Sequence, residues 1–314
     1  MLEIDGTTLL GRGGGLKRSL INLILVGGVA AISTSAVLIR LAQAQPAVIA
    51  FYRLLFATLL LAPWAVKQSR QVKLANRDFF AALAGGTFLA FHFLFWMTSL
   101  EQTSVASSVV LVTTQPLWVF LLSVLFLKEK PTRAMWVGLA LALAGSMVVV
   151  FTQADGGQSR LAGNLLAVAG AIMMACYFLV GRRLRRRLPL ALYSALVYGS
   201  SSIVLALFIL ARGIRPWGYE PTTWLIFASL AFIPTILGHN SLNWALKYLP
   251  ATMVSVVILG EPLGAGLLAA LILHEIPAGL EILGSLLTLG GIFLVWWGDP
   301  TRKGPELNQE IQQC

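Results

Sequence analysis

Two stretches of the chain decide its fold: VASSVVLVTTQPLWVFLLSVLFLKEKP at residues 105–131 and ATMVSVVILGEPLGAGLLAALILHEIP at residues 251–277. Each is a long apolar run that contains one polar residue followed by proline, Gln115-Pro116 in the first and Glu261-Pro262 in the second. Each run also closes on a Glu-x-Pro sequence. Because all these positions are offset by 146 residues, the stretches are predicted to be two copies of one structural unit.

The composition places the chain in a membrane. Of its 314 residues 57% are hydrophobic and only 11% are charged. A soluble domain carries about 25% charged residues, because its surface must be solvated. An ordinary soluble enzyme and a disordered chain are therefore excluded. The two cysteines, Cys176 and Cys314, could form at most one bridge, which excludes a disulfide scaffold as well.

The apolar runs predict an all-α integral membrane protein with ten transmembrane helices. A helix needs about 20 mostly apolar residues to cross the hydrocarbon core of a bilayer. Ten runs reach this length: 19–39, 46–66, 79–100, 103–127, 134–152, 161–181, 190–211, 222–246, 250–273 and 277–297. The segment Ala42-Gln43-Ala44 resembles a signal-peptide cleavage site, but the first run is too long for a typical signal, so we expect an uncleaved helix.

The basic residues predict the orientation. With a cytoplasmic N-terminus, 18 of the 23 Lys and Arg fall in inside segments and four in outside segments, while Arg53 lies within a span. We therefore expect both termini in the cytoplasm of a bacterial cell, with the protein in the cell membrane. The basic cluster at 182–187 is interpreted as a topology signal and a contact with anionic lipids, not as a nucleic-acid site.

The repeat predicts how the chain is divided. Five spans per half means that the second half enters the membrane from the opposite side, an arrangement typical of transporters. We expect five segments: 1–18 as a cytoplasmic N-terminal segment, 19–152 as the first repeat, 153–160 as an outside linker, 161–297 as the second repeat and 298–314 as a cytoplasmic polar tail.

Glycines recur in both halves, which favours close helix packing. Gly138 and Gly145 lie two helical turns apart, as do their counterparts Gly284 and Gly291. Small residues at such spacing let helix backbones approach each other. Faces of this kind would also permit a homodimer.

The arrangement resembles the drug/metabolite transporter superfamily, specifically ten-helix proteins with two EamA-type domains. The resemblance covers about residues 19–297. It is carried by Pro116 with Lys128-Glu129-Lys130-Pro131, by Glu261-Pro262 with His274-Glu275-Ile276-Pro277, and by Phe51-Tyr52-Arg53. It implies export or exchange of small metabolites, often amino acids or related compounds, through a central cavity between the halves.

Glu261 is the strongest candidate for function. A charged group inside the membrane is costly and usually faces the bundle interior. Pro262 lacks an amide hydrogen and should kink the helix at this point. Since a carboxyl removed from water can be held protonated, Glu261 is predicted to couple transport to protons or to contact a cationic substrate group. Its counterpart, Gln115, is neutral. The alternative is a permanently protonated structural residue.

Arg53 is the second charged group within a span. Its guanidinium would match a substrate carboxylate in a two-pronged contact. The alternatives are a salt bridge to Glu261 or Glu281, a contact with carbonyl groups at a helix end, or a side chain that reaches outward to the membrane surface.

Other polar residues are predicted to line the same cavity. Polar and aromatic side chains on a helix face can bind an amphipathic solute, although each alone is more often an interhelical hydrogen bond. The predicted substrate-binding set is Arg53, His92, Trp96, Gln115, His239, Asn240, Asn243, Trp244 and Glu261. The histidines and cysteines lack ligand spacing, so we expect neither a metal site nor a cofactor.

These observations predict a secondary transporter that works by alternating access. The chain has no GxxxxGK[ST] loop and no segment long enough for a nucleotide-binding domain, so the energy must come from a gradient. A small-molecule substrate and the lipid bilayer are the expected partners. The alternatives are a membrane-embedded lipid-modifying enzyme, disfavoured because the polar groups are spread along the bilayer middle, and a passive channel, which would show rings of charge or filter loops.

Overall fold

The structure, a computed structural model, describes residues 14–127, 132–152, 158–249 and 251–298. These residues form ten helical segments and no strand. We number them in chain order as α1 (Gly14–Ser33 and Ser35–Leu41), α2 (Pro46–Ser69), α3 (Asn76–Gln102), α4 (Val105–Val112 and Gln115–Leu127), α5 (Arg133–Thr152), α6 (Gln158–Arg185), α7 (Leu190–Ala211), α8 (Pro221–Ala245), α9 (Ala251–Leu273) and α10 (Gly279–Gly298).

The lengths of these helices confirm an all-α membrane protein. Eight are long and apolar enough to cross a bilayer, and the apolar parts of α5 and α9, Arg133–Val149 and Ile258–Leu273, are shorter. Each predicted span overlaps one helix. Glu129 and Pro131, the predicted N-terminal segment up to residue 13, most of the linker (153–157) and the tail from residue 299 lie outside the described residues.

Local sequence chemistry sets several helix boundaries. Proline stands at the first position of α2 and of α8, where its missing amide hydrogen costs nothing and its fixed φ suits a helix. Ser104 caps α4, because its hydroxyl accepts a hydrogen bond of 3.1 Å from the amide of Ser107.

Four helices depart from regular α-geometry, and of these departures the sequence predicted only the one at Glu261-Pro262. α1 is broken at Thr34, and α4 is broken at Thr113 and Thr114. α8 contains a π-helical stretch, Ala231–His239, between its α-helical ends. α9 passes through a 3₁₀ turn, Ile258–Gly260, before Glu261 and ends in a π-helical turn, Ala269–Leu273.

The most extensive helix contacts join α5 with α10, α3 with α6 and α2 with α7. Further contacts join α1 with α8, α3 with α7, α4 with α6 and α4 with α9. The α5–α10 pair confirms the predicted role of the glycines. A Cβ on Gly138 would lie 2.7 Å from the carbonyl oxygen of Gly291, and one on Gly145 would lie 2.6 Å from that of Gly284. The two backbones therefore touch along two helical turns, which only glycine permits.

Candidate functional site

A small cavity lies in the centre of the bundle. Its volume is about 20 Å³, and it is bounded by residues of α1, α3, α4, α6, α8 and α9. The lining residues are Ile32, His92, Trp96, Val112, Thr113, Gln115, Met174, His239, Ile258 and Glu261. Five of the nine predicted site residues are therefore brought together: His92, Trp96, Gln115, His239 and Glu261.

Gln115 and Glu261 line this cavity, and each lies directly after a break in its helix, α4 or α9. Pro262 has no amide hydrogen, so it cannot bond to the carbonyl of Ile258. The amide of Glu261 bonds to that carbonyl instead and closes the 3₁₀ turn. In α4 the helix stops at Val112 and resumes at Gln115. Each polar side chain thus stands at the first residue after an irregular turn, where regular helix resumes.

Glu261 is buried, with only 5% of its surface exposed. Its carboxyl group makes no hydrogen bond or ion pair with any residue that the structure describes. The hydroxyl of Ser33 on α1 reaches its backbone carbonyl at 3.5 Å. The carboxyl is therefore positioned by backbone contacts and is left available to whatever enters the cavity.

His92 and Trp96 form one wall. Their rings stack at an interplanar angle of 18°, with centroids 6.0 Å apart. The Nδ1 of His92 lies 3.0 Å from the carbonyl oxygen of Gly170, and because a carbonyl can only accept, Nδ1 carries a proton. The indole nitrogen of Trp96 is buried and has no hydrogen-bond partner within the described residues. A buried N–H group left unpaired costs about 1–3 kcal/mol, so this wall offers a donor to a ligand or a water molecule.

Arg53 is fully buried beside the cavity and does not line it. Its Nε donates to the hydroxyl of Thr235 at 2.7 Å, and its Nη1 donates to that of Ser35 at 2.8 Å. The guanidinium carbon lies 4.3 Å from the centre of the Phe93 ring. Nη2 is buried without a partner in the described part of the chain.

The observed contacts of Arg53 differ from the three structural alternatives that the sequence suggested. The side chain does not reach outward, since none of its surface is exposed. Its Nε and Nη1 bond to side-chain hydroxyls, not to carbonyl groups at a helix end. Within the described residues it forms no ion pair with Glu261 or with Glu281. One N–H group of a buried cation remains free.

The π-helical stretch of α8 explains how Thr235 reaches Arg53. Pro234 cannot donate to the carbonyl of Leu230, and the Thr235 hydroxyl donates to that carbonyl at 2.8 Å. The same hydroxyl oxygen accepts from Arg53 Nε. Sequence reasoning missed Thr235, Ser35 and Thr113. A signal existed for Thr235, because it follows a proline inside an apolar span, and for Thr113, because it lies just before Gln115-Pro116.

Asn240, Asn243 and Trp244 lie elsewhere, between α6, α7 and α8. The amide group of Asn243 accepts from Tyr177 at 2.5 Å and donates to Tyr198 at 3.0 Å. Asn240 accepts from Ser194 at 2.6 Å, and the Trp244 ring contacts that of Tyr248 at 5.0 Å between centroids. The two asparagines have side-chain partners from neighbouring helices, as interhelical hydrogen bonds require.

A second, larger space opens at the end of the bundle formed by the α1–α2, α3–α4 and α9–α10 connections. We call it the vestibule. Its volume is about 470 Å³. It is lined by Arg40, Glu101, Gln102, Thr103, Ser104, Ala106, Arg160, Gly266, Ala269, Glu275, Ile276, Pro277, Ala278 and Glu281.

Two carboxylates at the vestibule hold the start of α4. Glu275 forms an ion pair with Arg40 at 3.3 Å and accepts a hydrogen bond of 3.0 Å from the amide of Val105. Glu281 accepts from the hydroxyls of Ser104 and Ser107, both at 2.6 Å. A negative charge at a helix N-terminus is favourable, because the first amides of the helix point toward it.

Within the described residues, no three His, Cys, Asp or Glu residues lie close enough to hold a metal ion. The fold and the buried polar centre define a class of protein: a helical membrane protein whose broken helices present unpaired polar groups at the middle of the bundle.

Comparison with known proteins places the chain within that class. The model of the EamA-like transporter family matches residues 19–151 and 161–297, so the chain belongs to the EamA-like transporter family. It is a multi-pass membrane protein and a transporter. The predicted resemblance is thereby confirmed.

Individual relatives are distant and similar in length. The chain is 25% identical over 249 residues to the uncharacterized transporter YdfC of Bacillus subtilis, covering 79% of this chain and 80% of that protein. It is 25% identical over 226 residues to a probable amino-acid metabolite efflux pump of Salmonella typhimurium, covering 69% and 75%. A crystal structure with 17% identity superimposes with a TM-score of 0.68 over 91% of this chain and 99% of the other, which shows a shared fold.

Proposed function

We propose that this transporter is a secondary carrier, an exporter or exchanger of small metabolites such as amino acids or related compounds, that works by alternating access. The observation that carries the proposal is the central cavity, which is lined by Glu261 and Gln115 on two broken helices and by Trp96, whose indole N–H has no partner among the described residues. Discontinuous helices that place polar groups near the membrane midplane are typical of substrate sites in transporters.

The helix pairs support two inverted repeats as the moving parts. If each helix of the first half corresponds to the helix five places later, the pair α1–α8 corresponds to the pair α6–α3. The pairs α2–α7, α4–α9 and α5–α10 each correspond to themselves. Gly28 and Gly170, which lie 142 residues apart in corresponding helices of the two halves, make corresponding contacts: Gly28 of α1 packs on Ser241 of α8, and Gly170 of α6 packs on His92 and Trp96 of α3. This pattern is the one expected of a twofold axis between the halves.

Glu261 is proposed as the proton-coupling residue. It is buried, borders the cavity and has no hydrogen-bond or ion-pair partner among the described residues. The other members of the proposed substrate site are the predicted residues that line the cavity, His92, Trp96, Gln115 and His239. Arg53, buried beside the cavity, is the group that would meet a carboxylate. Its free Nη2 supports this role.

For the surroundings of the protein, we propose the bacterial cell membrane with both termini in the cytoplasm. The support is the distribution of Lys and Arg, which is strongly biased to one set of connections. With this orientation the vestibule faces outward.

The test is counterflow in vesicles that contain the purified protein. Labelled amino acids, nucleosides, sugars and organic cations are offered to vesicles preloaded with the same unlabelled solute. Saturable, transient accumulation of one solute is the expected result. Flux that never saturates would indicate a channel, and chemical conversion of an added lipid would indicate an enzyme.

The names of two relatives suggest which class of solute to test first. Proteins of Salmonella typhimurium and Escherichia coli that share 25% and 26% identity are named probable amino-acid metabolite efflux pumps. Amino acids are therefore the first class in the counterflow experiment.

A further inference from the structure

The two spaces in the bundle differ in what they can hold. The central cavity, at about 20 Å³, has room for roughly one water molecule. Pockets that bind small molecules measure about 300–1,000 Å³, and the vestibule, at about 470 Å³, falls in that range. In this conformation a metabolite therefore fits the vestibule and not the centre.

The same five helices, α1, α3, α4, α6 and α9, line both spaces. On α9, Glu261 lines the cavity and Gly266 lines the vestibule, five positions further along the chain, which is a rise of about 7.5 Å. On α4, Thr113 lines the cavity and Ala106 the vestibule. The two spaces therefore lie one after the other along the same five helices.

The charges of the vestibule divide into engaged and free groups. Arg40 and Glu275 form an ion pair, and Glu281 accepts hydrogen bonds from two serine hydroxyls. Glu101 on α3 and Arg160 on α6 make no hydrogen bond or ion pair within the residues that the structure describes, and Arg40 acts on the Glu101 carboxyl only through its longer-range charge. Glu101 and Arg160 are both exposed, so a solute can reach their charged groups. One free acid and one free base suit a solute that carries both an ammonium group and a carboxylate.

We propose that the vestibule is an outer binding subsite for small zwitterionic solutes, in which Glu101 contacts the ammonium group and Arg160 contacts the carboxylate. This inference rests on the proposed function, since it places the subsite on the route of the transported solute. In this conformation the subsite can bind a solute, whereas the central cavity has room for only about one water molecule.

Equilibrium binding to the detergent-purified full-length chain tests the subsite, because both ends of the protein are then accessible. The probes are leucine, 3-methylbutylamine, which lacks the carboxylate, and 4-methylpentanoate, which lacks the ammonium group. We expect leucine to bind most tightly. Glu101→Gln should weaken leucine binding about fivefold and leave 4-methylpentanoate unaffected. Arg160→Gln should weaken leucine by a similar factor and leave the amine unaffected, since an exposed charge contact contributes a factor of this size.

Glu220→Gln and Arg212→Gln are matched controls. Both residues are exposed near the α7–α8 connection and do not line the vestibule, so leucine binding should stay within about twofold of the parent protein. The subsite is refuted if the parent chain does not prefer leucine, or if the Glu101 and Arg160 variants bind leucine as the two controls do.

Failure of the subsite and failure of the carrier are distinguishable. A chain that shows saturable counterflow while its Glu101 and Arg160 variants bind leucine normally is a carrier without this subsite. A chain with no counterflow of any solute contradicts the proposed function itself.

Discussion

Individual residues at the centre of the protein stand out because their polar groups lack partners. Glu261, Trp96 and Arg53 each carry a buried polar group that no described residue satisfies completely. A buried polar group without a partner destabilises the fold, and inside a membrane no solvent compensates for it. Three such groups around one cavity are better explained by a passing solute, proton or water than by stability.

The first prediction concerns Glu261. Glu261→Gln keeps the shape and the hydrogen-bonding capacity of the side chain but removes its titration, so transport should lose its dependence on pH while the protein stays folded. Counterflow at several pH values measures this. Glu220→Gln, an exposed residue outside the site, should keep the parent profile. A variant with the parent pH profile would remove Glu261 from proton coupling.

The second prediction concerns Arg53. Arg53→Lys keeps the positive charge but cannot contact Thr235, Ser35 and a substrate carboxylate at once, because an ammonium group lacks the planar fork of a guanidinium. Solutes with a carboxylate should compete about tenfold less well, whereas cationic solutes should compete as before. Inhibition of counterflow by matched amines and acids provides the readout. An equal loss for both classes would make Arg53 structural.

At the scale of the helices, α5 of the first half and α10 of the second half are held together by direct backbone contact. Gly291 packs on the backbone of Gly138 and Ala142, and Gly145 packs on Gly284 and Thr288. Neighbouring Gly290 on α10 is different, because a Cβ added there would meet no atom within 4 Å. Adjacent glycines of one helix therefore have different roles.

This contrast gives the third prediction. Gly291→Leu should force α5 and α10 apart and lower the thermal midpoint of unfolding, with a cost of at least about 1–3 kcal/mol, as expected for overpacking. Gly290→Leu adds the same side chain where there is space and should leave the midpoint near that of the parent. Thermal unfolding in detergent compares the two variants, and similar midpoints would contradict backbone contact at Gly291.

Across the molecule as a whole, the vestibule face joins the two halves through charge. Arg40 and the start of α4 belong to the first half, whereas Glu275 and Glu281 belong to the second. A carrier that alternates must change the spacing of its halves at one face or the other. Such movement at the vestibule face would change the distance between Arg40 and Glu275.

The fourth prediction follows from this contact. In a chain with Cys176 and Cys314 replaced by serine, Arg40→Cys and Glu275→Cys joined by a short reducible thiol cross-linker should stop counterflow, and reductant should restore it. Each single cysteine variant treated with the same reagent controls for modification alone. Full transport by the cross-linked protein would show that this face does not move.

Hydrophobic length, charge placement and proline act locally along the chain, so the amino-acid sequence was enough to predict the class of protein, its ten helices and the interruption at Glu261. Which polar residues share a cavity emerged only from the packed bundle. Asn243 and Glu261 look alike in sequence, as polar residues within spans. In the bundle Asn243 finds Tyr177 and Tyr198 on neighbouring helices, whereas Glu261 finds no side-chain partner among the described residues. Helix rotation and packing set that difference, and neither can be read from a single span.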